Sequence, residues 1–342
     1  MGNIELIESN TALATGERLQ LIGQAANHHA ANATFADYLS RKATNTIRAQ
    51  RFDLVTFAGY LAAAGVVLDA EQLQTAPRAW QGISWGIVEG FVKWQLREGH
   101  AVSSVNRRLS TVKVYAKLAA KAGAIAAQEL ALIQTVTGYG HKEAKRVDER
   151  RETTRIGHKK AEHVSLSDEQ VQALKAQPET PQGRRDALLL CLLLDHGLRV
   201  GEVALLTVTH IDLKKGMLTG FYRPKVDKEQ NHKLSADTLR AVQAWFDSGD
   251  APALGPLLRG SRKGGQLTAA GMSTTSMSER VRTLGLAIGV EGLSAHDCRH
   301  YWATRWAGRV DVFRLQEAGG WNSLAMPRRY VERAEVANEG MV

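Results

Sequence analysis

Two short segments in the second half of the chain carry residues able to bind and polarise a phosphate. In DHGLRVGEVALL, Arg199 stands just after an apolar run from Leu188 to Leu194, and Glu202 follows three residues later, near enough to meet it on a helical turn. In LSAHDCRHYWATRW, His296 and Arg299 lie one helical turn apart at the start of an amphipathic stretch, with His300 beside them. An imidazole and a guanidinium on one face can both donate to a single phosphate, and no Cys partners or HExxH spacing accompany them to make a metal site. Metal-free phosphodiester transfer needs a nucleophile, cations to bear the charge growing on the phosphoryl oxygens, and an acid for the departing oxygen. Taken alone, Arg199 and Glu202 read better as a surface ion pair worth under about 1 kcal/mol. What separates the two readings is the order in which several such segments arrive.

GLRVGE, HDCRHYWAT, LQEAGGWNS and a tyrosine nine residues after that tryptophan resemble, in order and spacing, the boxes of the tyrosine recombinases, also called phage integrases. The resemblance covers roughly residues 165 to 332. Cre-like and Xer-like members share these boxes, and Trp321 where others have histidine is similar to the Cre-like variant. The resemblance implies a site-specific DNA recombinase that cleaves and rejoins duplex DNA through a 3′-phosphotyrosine, without metal, ATP or any other cofactor, and exchanges strands in a synaptic tetramer. Carried over by position, Tyr330 is the nucleophile, Arg199 and Arg299 clamp the phosphate, and His296 and Trp321 add donors. Glu202 and His300 stand behind them. The family's hairpin lysine aligns best with Lys225 in RPKVDKEQ, with Lys228 as the alternative, and it would protonate the leaving 5′-oxygen. A type IB topoisomerase uses similar residues, and a degenerate DNA-binding protein keeps the fold without the chemistry; both stay open on these residues.

The elements that must position this set read as mainly helical with a small antiparallel sheet, an α+β chain. Leu54, Ala58, Leu61 and Ala62 make one helical stripe, and Ile87, Phe91 and Trp94 make another after a cap at Ser84. A further helix starts near Ser103 or Ser104, with Val105, Leu109, Val112 and Ala116 on one face and Lys113, Lys117 and Lys121 on another. Ser167 and Gln170 have capping-box spacing before a new helix, and helical pattern resumes at Ser235. The stretch HIDLKKGMLTGFYRPKVDKEQNHKLS, with its turn at Lys215 and Gly216, reads as the sheet. Residues 1–140 are expected to form a helical core DNA-binding domain, 141–162 a basic interdomain linker, and 163–342 a catalytic domain with a short C-terminal tail.

The charge balance fits a polyanionic partner, with 44 Lys and Arg against 35 Asp and Glu and a pI near 9.6. Residues 1–162 hold 21 basic and 15 acidic side chains, net +6, and the remainder 23 and 20, net +3, so the first domain and linker form the main electrostatic grip. Arg107, Arg108, Lys113, Lys117, Lys121, Lys145 and Arg146 are the candidate phosphate contacts. The expected partner is double-stranded DNA bearing a specific, inverted-repeat site. No apolar run reaches the roughly 20 residues of a membrane span, and MGNIELIESN has no signal-peptide pattern, so a cytoplasmic, nucleoid-associated protein is expected. Cys191 and Cys298 are too few for a disulfide framework, and Cys298 reads as structural.

Overall fold

The computed structural model describes residues 15–150, 156 and 163–334; MGNIELIESN, most of the linker beyond residue 150 and the tail beyond 334 lie outside the described residues. The chain divides near residue 160 into two compact units. No described helix is long and apolar enough to cross a membrane.

The first unit is wholly helical: α1 (Thr15–Ser40), α2 (Thr44–Ala63), α3 (Ala70–Thr75), α4 (Trp85–Arg97), α5 (Val102–Lys121), α6 (Ala127–Thr135) and α7 (His141–Glu149). Ser84 caps α4 by accepting from the Ile87 N–H. On α2 the buried stripe is Leu54, Phe57, Ala58 and Leu61, while Ala62 faces solvent. The expected stripe thus shifts by one position, because Phe57 brings a large ring to Phe91 (centroids 5.0 Å apart) and Trp80 (5.8 Å), and Ala62 has little area to bury. The α5 face of Val105, Leu109, Val112 and Ala116 is buried as its spacing requires, although the helix begins at Val102 without a side-chain cap, ahead of the expected serines. The first part of the expected linker is the helix α7; Glu143 accepts from the Gly140 N–H at 2.7 Å, and Lys145 lies one turn from Glu149.

The second unit follows as α8 (Asp168–Lys175), α9 (Pro181–Leu194), α10 (Val200–Val203), β1 (Ile211–Asp212), β2 (Met217–Arg223), β3 (Lys228–Lys233) and α11 (Ala236–Asp247). Then come β4 (Arg259–Ser261), β5 (Leu267–Gly271), α12 (Thr274–Ala287), α13 (Ala295–Ala307), α14 (Val312–Gly319) and α15 (Ala325–Ala334). Strands β1, β2 and β3 form an antiparallel sheet in that order, with Phe221 opposite Gln230 and Arg223 opposite Lys228. The β4–β5 hairpin was not foreseen; its strands are too short to show a period, and its turn is marked only by Gly264 and Gly265, both at positive φ. Helix α9 runs through the centre, with all seven residues from Leu188 to Leu194 buried, each Leu contributing about 2 kcal/mol of apolar burial. The Ser167/Gln170 capping box forms as expected at α8. A separate small core, built from Trp302, Ala303, Ala307, Leu315 and Tyr330, joins α13, α14 and α15.

Candidate active site

Helix α14 ends in two glycines for a steric reason. Gly320 has φ of 59°, in the left-handed region, and a Cβ there would stand 2.7 Å from the Arg223 guanidinium. A Cβ on Gly319 would stand 1.9 Å from the Trp321 ring. The chain can therefore turn tightly and leave its last carbonyls facing inward, and four side chains from elsewhere each take one of them. Gln230 Nε2 donates to Glu317 O at 2.8 Å and Arg223 to Ala318 O at 2.7 Å. Arg299 donates to Gly319 O at 2.5 Å and Arg199 to Gly320 O at 3.0 Å. The C-terminal end of a helix carries partial negative charge, which favours the convergence of three guanidiniums there.

Glu202 ties the cluster together. Arg199 is the N-cap residue of α10, and Glu202 reaches back to it, accepting from its N–H at 2.9 Å and pairing with its guanidinium at 2.6 Å. Its Oε2, which takes the Arg199 N–H, also accepts from Arg223 at 3.0 Å, while Oε1 meets the Arg199 guanidinium. Burial alone would raise the Glu202 carboxyl, but the hydrogen bond and charge of Arg223, followed by those of Arg199, outweigh it and hold the group below the usual carboxylate range. The reading of Arg199 and Glu202 as a surface pair fails, since Glu202 is buried. Arg299, one turn after His296 at the start of α13, also donates to Gly197 O at 2.5 Å. Burial, with Arg199 and Arg223 as like-charged neighbours, pulls its pKa down to about 9, so it stays protonated at neutral pH.

Trp321 lies against this cluster, with Arg299 Cζ 4.4 Å from its ring centroid, a cation–π arrangement. Its ring is 5.8 Å from that of Tyr330, which is buried in the small core. His300 lies 5.2 Å from the Tyr330 ring and 4.7 Å from His296, whose side chain is exposed. Arg199, Glu202, His296, Arg299, His300, Trp321 and Tyr330 are thus brought into one connected set. Cys298, next to Arg299, is fully buried, and burial pushes its thiol up to about 12, an inert packing residue.

Lys225 sits exposed in the β2–β3 turn, whose position is tied to the Trp321 loop by Asn322 donating to Lys225 O at 3.0 Å. Lys228 heads β3 and pairs with Glu317 at 3.5 Å. Arg223 and Gln230 were missed by the sequence reading, although both are central to the cluster.

The basic residues of the first unit divide into two kinds. Lys117, Lys121, Lys145 and Arg146 are exposed, and Arg107 is half exposed with its guanidinium 2.5 Å from Asp53. Arg108 corrects the sequence reading: its side chain is only 15% exposed and donates to Gln95 at 3.1 Å, because it shares the buried face of Val105, Leu109 and Val112. Lys113 bends back to donate to Gln134 O at 2.9 Å, which takes it out of the expected lysine stripe.

Residues 165–336 match the family model described as the phage integrase family. The chain is 26% identical over 288 residues to tyrosine recombinase XerC of Xanthomonas campestris pv. campestris (strain B100), covering 84% of this chain and 78% of that protein. It is 27% identical over 305 residues to tyrosine recombinase XerD of Pseudomonas aeruginosa, covering 85% and 88%. Among solved structures, a lambda integrase dimer bound to a COC′ core site shares the fold, with a TM-score of 0.57, 14% identity and coverage of 88% of this chain and 94% of that one.

Proposed function

Because the chain belongs to the phage integrase family, we propose that it is a site-specific recombinase that breaks and rejoins duplex DNA through a 3′-phosphotyrosine formed at Tyr330. The observation that carries the reading is the cluster at the end of α14, where Arg199 and Arg299 are held on successive carbonyls beside Trp321 and Tyr330. Preorganised donors aimed at developing charge lower a barrier without reorganising during the step, which is what phosphoryl transfer demands. Arg199 and Arg299 would hold the non-bridging oxygens, with His296 and Trp321 as further donors.

Tyr330 gives up its phenolic proton to solvent and attacks phosphorus in line, the P–O5′ bond breaks, and Lys225 gives a proton to the departing 5′-oxygen. The phosphotyrosine conserves the phosphodiester, so a 5′-hydroxyl from another strand reverses the step and completes exchange. Tyr330 is buried, so in-line attack requires its oxygen to be brought to the phosphate. Four protomers on two inverted-repeat sites would act in pairs. The first unit would serve as core-binding domain, with Arg107, Lys117, Lys121, Lys145 and Arg146 on the phosphates, and the segment after α7 as linker to the catalytic unit.

The test uses duplexes enriched by binding from a random-sequence pool and carrying a phosphorothiolate at the scissile position. Wild type should give a denaturation-resistant protein–DNA adduct, and Tyr330→Phe none. Lack of an adduct in wild type, or an equal yield from Tyr330→Phe, refutes the assignment.

A further inference from the structure

The proposed site uses His296, Arg299, Trp321 and Tyr330, but the chain of rings continues beyond them to a residue that no motif marks. The His300 imidazole meets three other rings. It lies edge-to-face on His296 at 4.7 Å, against Tyr330 at 5.2 Å with an interplanar angle of 61°, and stacked on His163 at 4.7 Å and 13°. His300 therefore touches both a candidate phosphate donor and the candidate nucleophile, and its stacking partner comes from outside the helix that carries it.

His163 is exposed and belongs to the irregular segment leading into α8. That segment is pinned to α13 at two levels. The Val164 N–H donates to Asp297 Oδ1 at 3.2 Å, and Asp297 is itself buried and held by the Ser294 N–H (2.9 Å) and hydroxyl (2.6 Å). One turn further along α13, Tyr301 donates to Asp168, which also pairs with Arg305 at 3.3 Å. His163 is thus presented to His300 from a fixed backbone rather than a loose one.

We propose, on the reading that Tyr330 is the nucleophile, that His300 is a positioning residue setting the Tyr330 ring relative to His296, and that His163 clamps His300 from outside the helix. The segment at the start of the second unit is then part of the alignment of the site. In-line attack tolerates little displacement, so a ring contact that hardly affects folding can still affect the rate. The contribution of one aromatic contact corresponds to a rate change of about threefold to tenfold.

Single-turnover cleavage of the selected phosphorothiolate duplex tests this, with DNA affinity and melting temperature measured on the same preparations. His163→Ala should lower the cleavage rate constant about threefold to tenfold while affinity and melting temperature stay at wild-type values. His163→Phe keeps a flat stacking ring and should recover most of the rate. His300→Ala should lose at least as much as His163→Ala; if it also lowers the melting temperature, the exposed His163 pair decides the matter. Cleavage by His163→Ala at the wild-type rate overturns the clamp, as does a loss matched by weaker DNA binding, or failure of His163→Phe to exceed His163→Ala. The underlying assignment fails separately, by an adduct missing from wild type or surviving in Tyr330→Phe.

Discussion

Replacing Arg223 by Met removes a guanidinium and keeps an unbranched apolar stem, so the perturbation is electrical more than steric. Three acceptors lose a donor at once: Glu202 Oε2 at 3.0 Å, Gln230 Oε1 at 2.8 Å and Ala318 O at 2.7 Å. Removing one partner of a buried ion pair costs about 3–5 kcal/mol, and the surviving bonds from Arg199 to Glu202 favour the lower end, about 3 kcal/mol. The pH dependence follows from the depressed Glu202 carboxyl. In wild type its contribution is fully present above the unfolded-state carboxylate pKa and is lost as pH falls through the lower folded value. In Arg223→Met, burial is no longer outweighed by Arg223, so the carboxyl shifts upward and protonation relieves the defect. The destabilisation should be greatest near neutral pH and shrink toward about pH 4, where the unfolded carboxyl also binds its proton. Urea unfolding at both pH values measures it, with amide exchange in the β2–β3 hairpin assigning the transition to the second unit. A difference below about 1 kcal/mol at neutral pH, or one that does not shrink on acidification, refutes the argument.

Gly197→Ala should destabilise by about 2 kcal/mol or more, because φ is 59° there and a Cβ would stand 2.3 Å from two Trp302 ring carbons. An unchanged melting temperature would sink that reasoning. His196 offers a second pH test. Burial pulls its pKa down to about 4, so the folded protein keeps it neutral while the unfolded chain takes up a proton below about pH 6.5. Stability should therefore fall between about pH 6.5 and 4, by about 1.4 kcal/mol per pH unit from this residue, and His196→Asn should flatten the slope. Identical slopes in the two proteins would remove His196 as the cause.

Much of the site was legible because its members are spaced by local geometry. Arg199 with Glu202, and His296 with Arg299, are one helical turn apart, and Gly319, Gly320 and Trp321 share one turn, so a linear pattern preserves their relation. Arg223 has no such neighbour; its partners are 7, 21 and 95 residues away in sequence. Alternation along β2 also misleads. Leu218, Phe221 and Arg223 all point inward, but the irregularity between Leu218 and Phe221, where Gly220 has φ of 60°, reverses the parity. A period of two begun at Leu218 turns Arg223 outward, and one begun at Phe221 turns it inward. Arg108 was recoverable, since it lies three residues after Val105 and four before Val112 on the buried face.

These arginines show why the overall charge was an incomplete guide to the partner. The net +9 counts every guanidinium alike, yet Arg108 is spent inside the first unit and Arg223 is fully buried. At the end of α14, Arg199 and Arg223 pair with the buried carboxylate of Glu202 while Arg299 bonds only carbonyls: three positive charges against one leave two in excess. The four carbonyls offset part of that excess through their dipoles, but burial first, and then the like charges of Arg199 and Arg223, still pull the Arg299 pKa down, so its charged form is held at a cost. A cluster of this kind opposes folding through its unbalanced charge, which an anion brought against it would offset. The excess buried at one helix end therefore says more about a phosphate-binding chemistry than the larger excess spread over the surface.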